Sequence, residues 1–115
     1  MGRPVVHWEL NAKDARKLSR FYTQLFEWKI DATEPDHAFI ETESDEGIDG
    51  SITQIDPGDP VGFTFYVHVD NVEAALAKAT QLGGKVAMEP TEMPDGVTLA
   101  VFEDPEGNQV GLVED

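Results

Sequence analysis

The strongest constraint on the fold of this chain is an internal repeat. Residues 5–10 and 63–69 are short runs rich in β-branched and aromatic residues, which favour β-strands. Each run precedes a stretch with apolar residues at helical spacing, and both stretches contain the tripeptide Thr-Gln-Leu, at 23–25 and 80–82. Three further strand-like runs follow each predicted helix. The order βαβββ therefore occurs twice, which indicates a duplicated supersecondary unit.

A short connector, residues 56–60, separates the two repeats. Its two prolines and one glycine can continue neither a helix nor a central strand. We therefore expect halves of about 1–56 and 61–115. Because a chain of 115 residues is sized for one hydrophobic core, both halves are expected to form a single domain over residues 1–115.

The repeat also predicts how each half is layered. Four strands and one amphipathic helix make a sheet that the helix covers on one face, while the other face needs a partner or a ligand. Two such halves side by side would enclose a hollow. The predicted fold class is α+β, with two tandem βαβββ modules forming a curved mixed-sheet cup.

The balance of charged residues restricts the classes of partner. Lys and Arg number 8 against 23 Asp and Glu, and the formal net charge of −15 repels phosphate backbones and anionic headgroups. We therefore expect neither a nucleic-acid nor a membrane partner. The chain has no cysteine, which excludes thiolate catalysis, and its first ten residues lack a signal-peptide pattern, so a cytoplasmic location is expected.

Strand alternation predicts which side chains face the hollow, since successive residues of a strand point to opposite faces. If Trp8, Leu10, Phe65 and Val67 pack under the helices, the residues between them point inward. The inward set then combines imidazole, carboxylate, hydroxyl and phenol groups, on His7, Glu9, Thr64, Tyr66 and His68.

The three histidines are expected to differ in role. His7 is the functional candidate, because strand parity turns it inward. His68 lies beside Asp70, which begins the second helix, and is expected to be structural or exposed at the rim. His37 follows Asp36 in a turn-like segment and is predicted to be a surface residue.

Four motifs follow one another along essentially the whole chain. They are His7-Trp8-Glu9-Leu10 leading to Asp14, Phe21-Tyr22 with residues 25–28, residues 69–72 before a helix ending Leu82-Gly83-Gly84, and residues 102–108. With this ordered set the chain resembles the vicinal oxygen chelate superfamily of glyoxalases, bleomycin-resistance proteins and extradiol dioxygenases. The resemblance implies the cup fold and a homodimer. One departure is Glu27, which replaces the glycine usual between Phe26 and Trp28, so the resemblance does not define the conformation of that turn.

The resemblance further implies a divalent metal held by one His, Gln or Glu from each of the first, fourth, fifth and eighth strands. The matching positions carry few such donors. His7 and Asp49 are the candidate ligands, but two protein ligands fall short of the three or more usual at catalytic sites. We therefore expect no metal or other cofactor. The four positions fall on His7, then Asp49, Gly50 or Ser51, then Thr64, and then Gly111.

Without a metal, three functions stay open, because a fold does not fix a reaction. The first is a metal-free protein that binds a small organic molecule, aromatic or cationic in character. The second is a lyase or isomerase with Glu9 or His7 as general base, so enzymatic activity is left open. The third is a vestigial cup with a protein-interaction role. The candidate ligand-binding residues are His7, Glu9, Thr64, Tyr66 and Gln109.

Overall fold

The computed structural model describes residues 2–34, 36–59 and 61–115, with the backbone alone at residues 32–34. Residue 60, which ends the predicted connector, lies outside the described residues, as do residues 1 and 35. The described part of the chain contains two βαβββ repeats, so the predicted α+β fold class is confirmed. Its elements are β1 (Val5–Ala12), α1 (Ala15–Phe26), β2 (Lys29–Glu34), β3 (His37–Glu41), β4 (Gly50–Gln54), β5 (Gly62–His68), α2 (Val72–Gln81), β6 (Lys85–Glu92), β7 (Thr98–Glu103) and β8 (Gln109–Glu114).

Two compact units make up the described chain. The first unit is His7–Thr64, and the second unit combines the segment ending at Val6 with Phe65–Asp115. In the first unit the strand order is β2-β3-β4-β1, with β1 parallel to β4 and the other neighbours antiparallel. In the second unit the order is β5-β8-β7-β6, with β5 parallel to β8 and the other neighbours antiparallel. Each unit therefore has the same strand connectivity.

Short polar side chains begin both helices. The Asp14 carboxylate accepts a hydrogen bond from the backbone N–H of Lys17 at 3.1 Å, and Asn71 accepts one from that of Ala74 at 2.9 Å. These caps satisfy N–H groups that have no partner within the helix. Helix α1 ends at Phe26 and is capped by Glu27, whose φ of 59° lies in the left-handed region. The glutamate thus adopts the conformation that a glycine would adopt more readily.

Each helix packs on one face of its own unit's sheet. In the first unit Ile40 and Ile52 are almost completely buried with Ala15 of α1, and each isoleucine contributes about 1.5–3 kcal/mol through burial. In the second unit the equivalent core surrounds Val72 and Leu76 of α2. Trp8, Leu10 and Val67 pack against these cores, as strand parity predicts.

Within the described ranges, no helix is both long enough and apolar enough to cross a membrane.

Candidate functional site

The candidate site lies in the first unit, on the sheet face opposite α1. Because Leu10 and Ile52 face the helix, the residues that alternate with them point to the other face. The register places Glu9 beside Ser51 on β4, and His37 of β3 beside Thr53. Three strands therefore contribute to one row of side chains on this face. Its members are the polar residues His7, Glu9, His37, Ser51 and Thr53 and the aromatic Phe39.

His7 is joined to β4 through a buried serine. Its Nε2 lies 2.9 Å from Oγ of Ser51, which is completely buried. Burial of the imidazole lowers the pKa of His7 below its ordinary value of 6.5. The charge of Glu9 opposes that pKa decrease, His37 adds to it, and Asp49 opposes it. The neutral imidazole is therefore the favoured form.

A chain of hydrogen bonds links Glu9 to His37. The Thr53 hydroxyl donates to Oε2 of Glu9 at 2.8 Å, and Nδ1 of His37 lies 3.0 Å from the same hydroxyl oxygen. The His37 ring also meets the edge of Phe39, with ring centroids 4.6 Å apart and planes at 76°. Phe39 is half exposed. A carboxylate, an imidazole and an accessible aromatic ring thus lie on one face.

The prediction that His37 lies in a turn-like segment is wrong, because the residue begins β3. The side chain is half buried and belongs to β3, where burial alternates along the strand. The preceding Asp36 is a turn residue, and the turn chemistry of the sequence concealed the start of the strand. His37 therefore joins the candidate site, as do its hydrogen-bond partner Thr53 and its neighbour Phe39.

The remaining candidates are distributed over both units. Thr64 belongs to the first unit and is buried. In the second unit, Tyr66 covers Gly111, and a Cβ added to that glycine would lie 2.1 Å from the tyrosine ring. Gln109 is exposed and lies opposite Glu103 of β7.

His68 has the structural role that its position near the second helix predicted. Its Nε2 lies 2.9 Å from a carboxylate oxygen of Asp115, and about a third of the side chain is exposed. The hydrogen bond to His68 is the largest cause of a lowered pKa at the Asp115 carboxyl. This pair ties β5 to the last residue of the chain and lies in the second unit.

The register identifies the fourth-strand position that the sequence left open. Leu10 pairs with Ile52 in the first unit, as Val67 pairs with Leu112 in the second. Ser51 directly precedes Ile52, and Gly111 directly precedes Leu112, so Ser51 and Gly111 occupy equivalent positions in the two units. The metal-ligand positions of the superfamily therefore carry one imidazole, two hydroxyls and a glycine, on His7, Ser51, Thr64 and Gly111.

This donor set does not fit a divalent metal. A serine or threonine hydroxyl is a poor ligand beside imidazole or carboxylate, and glycine has no side-chain donor. Asp49, the other candidate, accepts hydrogen bonds from the backbone N–H and the hydroxyl of Thr42 at 3.1 and 3.3 Å. Among the described residues, no group of three or more His, Cys, Asp or Glu side chains could hold a metal ion.

Comparison with known proteins agrees with the fold and with the sequence motifs. The model of the glyoxalase-like domain family matches residues 7–113. The chain therefore belongs to the glyoxalase-like domain family. CFP32 of Mycobacterium bovis, a protein provisionally named a glyoxylase, is 30% identical over 112 residues, which is 90% of this chain. The chain spans only 42% of the length of that relative.

Solved structures of the glyoxalase/bleomycin resistance/dioxygenase superfamily have the same fold. A superfamily member from Vibrio splendidus superposes with a TM-score of 0.69 at 17% identity, over 99% of this chain and 100% of the other. A methylmalonyl-CoA epimerase in complex with methylmalonyl-CoA superposes with a TM-score of 0.67 at 15% identity, over 98% and 94% of the two chains. At these identities the similarity establishes the fold and leaves the chemistry to the site.

Proposed function

We propose that this protein binds a small organic molecule, without a metal, on the sheet face that carries His7, Glu9, His37 and Phe39. The observation that carries the proposal is the hydrogen-bonded chain from Glu9 through Thr53 to His37. It fixes polar groups before a ligand arrives, which reduces the entropy lost on binding. Small-molecule sites commonly combine a few fixed polar groups of this kind with aromatic surface.

The character of the face favours ligands that pair an apolar ring with a polar group. Phe39 is 53% exposed, so an aromatic or aliphatic ring can stack on it. Glu9 adds a carboxylate on the same face, within a chain of net charge −15. Cationic or hydrogen-bond-donating ligands are therefore preferred over anions.

A fragment screen followed by nuclear magnetic resonance tests this proposal. Benzylamine is a suitable probe, because it pairs a phenyl ring with a cationic donor. We expect it to shift the resonances of Glu9, His37 and Phe39, and the Phe39→Ser variant to bind it more weakly. His68→Gln is the matched control, because it alters a histidine of the second unit and should leave binding unchanged. Shifts confined to other surfaces would contradict the proposal.

The second candidate function is proton transfer with Glu9 or His7 as the general base of a lyase or isomerase. It is favoured by the hydrogen bond from Thr53, which orients one oxygen of the Glu9 carboxylate. His7 is an alternative base, because burial favours its neutral form, which can accept a proton. A methylmalonyl-CoA epimerase is among the solved structures of similar fold, which supports this candidate.

The two functions predict different behaviour of the Glu9→Gln variant. The protons α to the carbonyl of phenylacetone, a neutral ketone with an aromatic ring, exchange with deuterated solvent when a base removes them. A catalyst would accelerate this exchange in the wild type and lose the acceleration in Glu9→Gln while still binding the compound. A binding protein would give equal exchange rates with the wild type, with the variant and without protein.

A further inference from the structure

We infer that His37 contacts the ligand through Nε2, and that Thr53 selects the tautomer that makes Nε2 an acceptor. The inference rests on the proposed function and adds a residue and a ligand class to it. His37 is half buried on the same face as Glu9, and only the Thr53 side chain separates the two in the hydrogen-bonded chain.

Counting protons fixes the tautomer. A threonine hydroxyl has one proton, and Thr53 donates it to Oε2 of Glu9 at 2.8 Å. The hydroxyl oxygen can then only accept from Nδ1 of His37, which lies 3.0 Å away. A neutral imidazole with its proton on Nδ1 has a lone pair on Nε2. Within the described chain, Nε2 of His37 has no hydrogen bond of its own.

The face therefore presents two kinds of acceptor to a ligand. One is the Glu9 carboxylate, and the other is Nε2 of His37. The complementary ligand has N–H or O–H donors next to an apolar ring that contacts Phe39. Amines, amidines and alcohols belong to this class, whereas carboxylates and phosphates, which offer only acceptors when fully ionised, do not.

The tautomer can be measured in the free protein. Nitrogen-15 chemical shifts of the imidazole distinguish Nδ1–H from Nε2–H when the ring is neutral. We expect Nδ1–H for His37 in the wild type. In Thr53→Val the shape of the side chain is kept and the hydroxyl is lost, so a mixture of tautomers is expected. A neutral His37 with its proton on Nε2 in the wild type would overturn the inference.

Binding measurements test the contact itself. Benzylamine, benzyl alcohol and benzoate share one ring and differ in the polar group. His37→Asn keeps an amide donor that can reach Thr53 and removes Nε2. We expect it to weaken binding of benzylamine and benzyl alcohol roughly five-fold, the value of one hydrogen bond. His68→Asn, the control, should bind both as the wild type does, and benzoate should bind more weakly throughout.

The outcomes separate this inference from the function on which it rests. If neither donor probe perturbs the resonances of Glu9 and Phe39, the proposed binding function fails. If both probes perturb them and His37→Asn binds as tightly as the wild type, the His37 contact alone is wrong. Thermal unfolding of His37→Asn shows whether weaker binding reflects a loss of fold, and the tautomer measurement on the wild type does not depend on any variant.

Discussion

His7 Nε2 lies 2.9 Å from the hydroxyl oxygen of Ser51, a completely buried residue on the neighbouring strand β4. The contact joins the first-strand and fourth-strand positions at which the superfamily holds its metal. In this protein the imidazole and the hydroxyl at these two positions form a hydrogen bond with each other. This geometry leads to predictions for stability, pH dependence and metal content.

Removing the serine hydroxyl should destabilise the protein. In Ser51→Ala the half-buried imidazole of His7 loses this hydrogen bond, and we expect the free energy of unfolding to fall by about 0.5–1.5 kcal/mol. Urea denaturation of the two proteins measures the difference. Thr23→Ala, at an exposed position of α1, should change stability by no more than about 0.5 kcal/mol. Equal effects of both substitutions would show that the His7 contact has no energetic importance.

Protonation of His7 should destabilise the fold. Because burial lowers its pKa below 6.5, the unfolded chain binds more protons at this residue than the folded chain does below that pH. The contribution of His7 to stability is therefore complete above pH 6.5 and decreases as the pH falls through and below that value. The unfolding midpoint of His7→Gln should depend less steeply on pH there than that of the wild type. His68→Gln is the comparison variant, and identical profiles for His7→Gln and the wild type would contradict the prediction.

Chelation should have no effect on this protein. Since hydroxyls and a glycine occupy three of the four metal-ligand positions, protein expressed without an affinity tag should contain less than one zinc, nickel or manganese ion per chain. EDTA should change neither the thermal midpoint nor the binding of benzylamine. One metal per chain, removed by EDTA together with a fall in the thermal midpoint, would show that the protein does hold a divalent metal.

The close approach of Tyr66 to Gly111 should make the eighth-strand position intolerant of any side chain. A Cβ there would lie 2.1 Å from the tyrosine ring, so Gly111→Ala should cost about 1–3 kcal/mol through overpacking. Gly2→Ala, with nothing within 4 Å, is the control. Combining Gly111→Ala with Tyr66→Ser should recover part of the loss in a double-mutant cycle. Strictly additive effects would contradict this steric explanation.

Replacing Glu27 should stabilise the protein. Its φ of 59° costs free energy in a residue with a Cβ, and Glu27→Gly should raise the free energy of unfolding by about 0.5–1 kcal/mol. Glu46→Gly, at an exposed position without positive φ, should be neutral or slightly destabilising. Chemical denaturation compares the two. A loss of stability in Glu27→Gly would indicate that the glutamate side chain has a stabilising contact.

Much of the fold could be predicted from the local pattern of apolar and polar residues in the sequence. The two βαβββ repeats, and the packing of Trp8, Leu10 and Val67 under the helices, were predicted correctly from residue alternation. Periods of 2 and 3.6 residues are properties of the backbone, so a single strand or helix reveals them in its sequence. The expected homodimer and the absence of a cofactor stay predictions.

Strand register decided which residues meet at the candidate site. His37 and Thr53 are 16 residues apart in the sequence, and Thr53 and Glu9 are 44 apart, yet hydrogen bonds join all three. A shift of one residue in either pairing would turn these side chains to the other face. The sequence by itself determined the repeat, the fold class and the placement of His7 and Glu9 on the opposite sheet face from Trp8 and Leu10. Tertiary structure alone placed Ser51 against His7 and brought His37 to Glu9, because register between distant strands is set by how their buried faces pack.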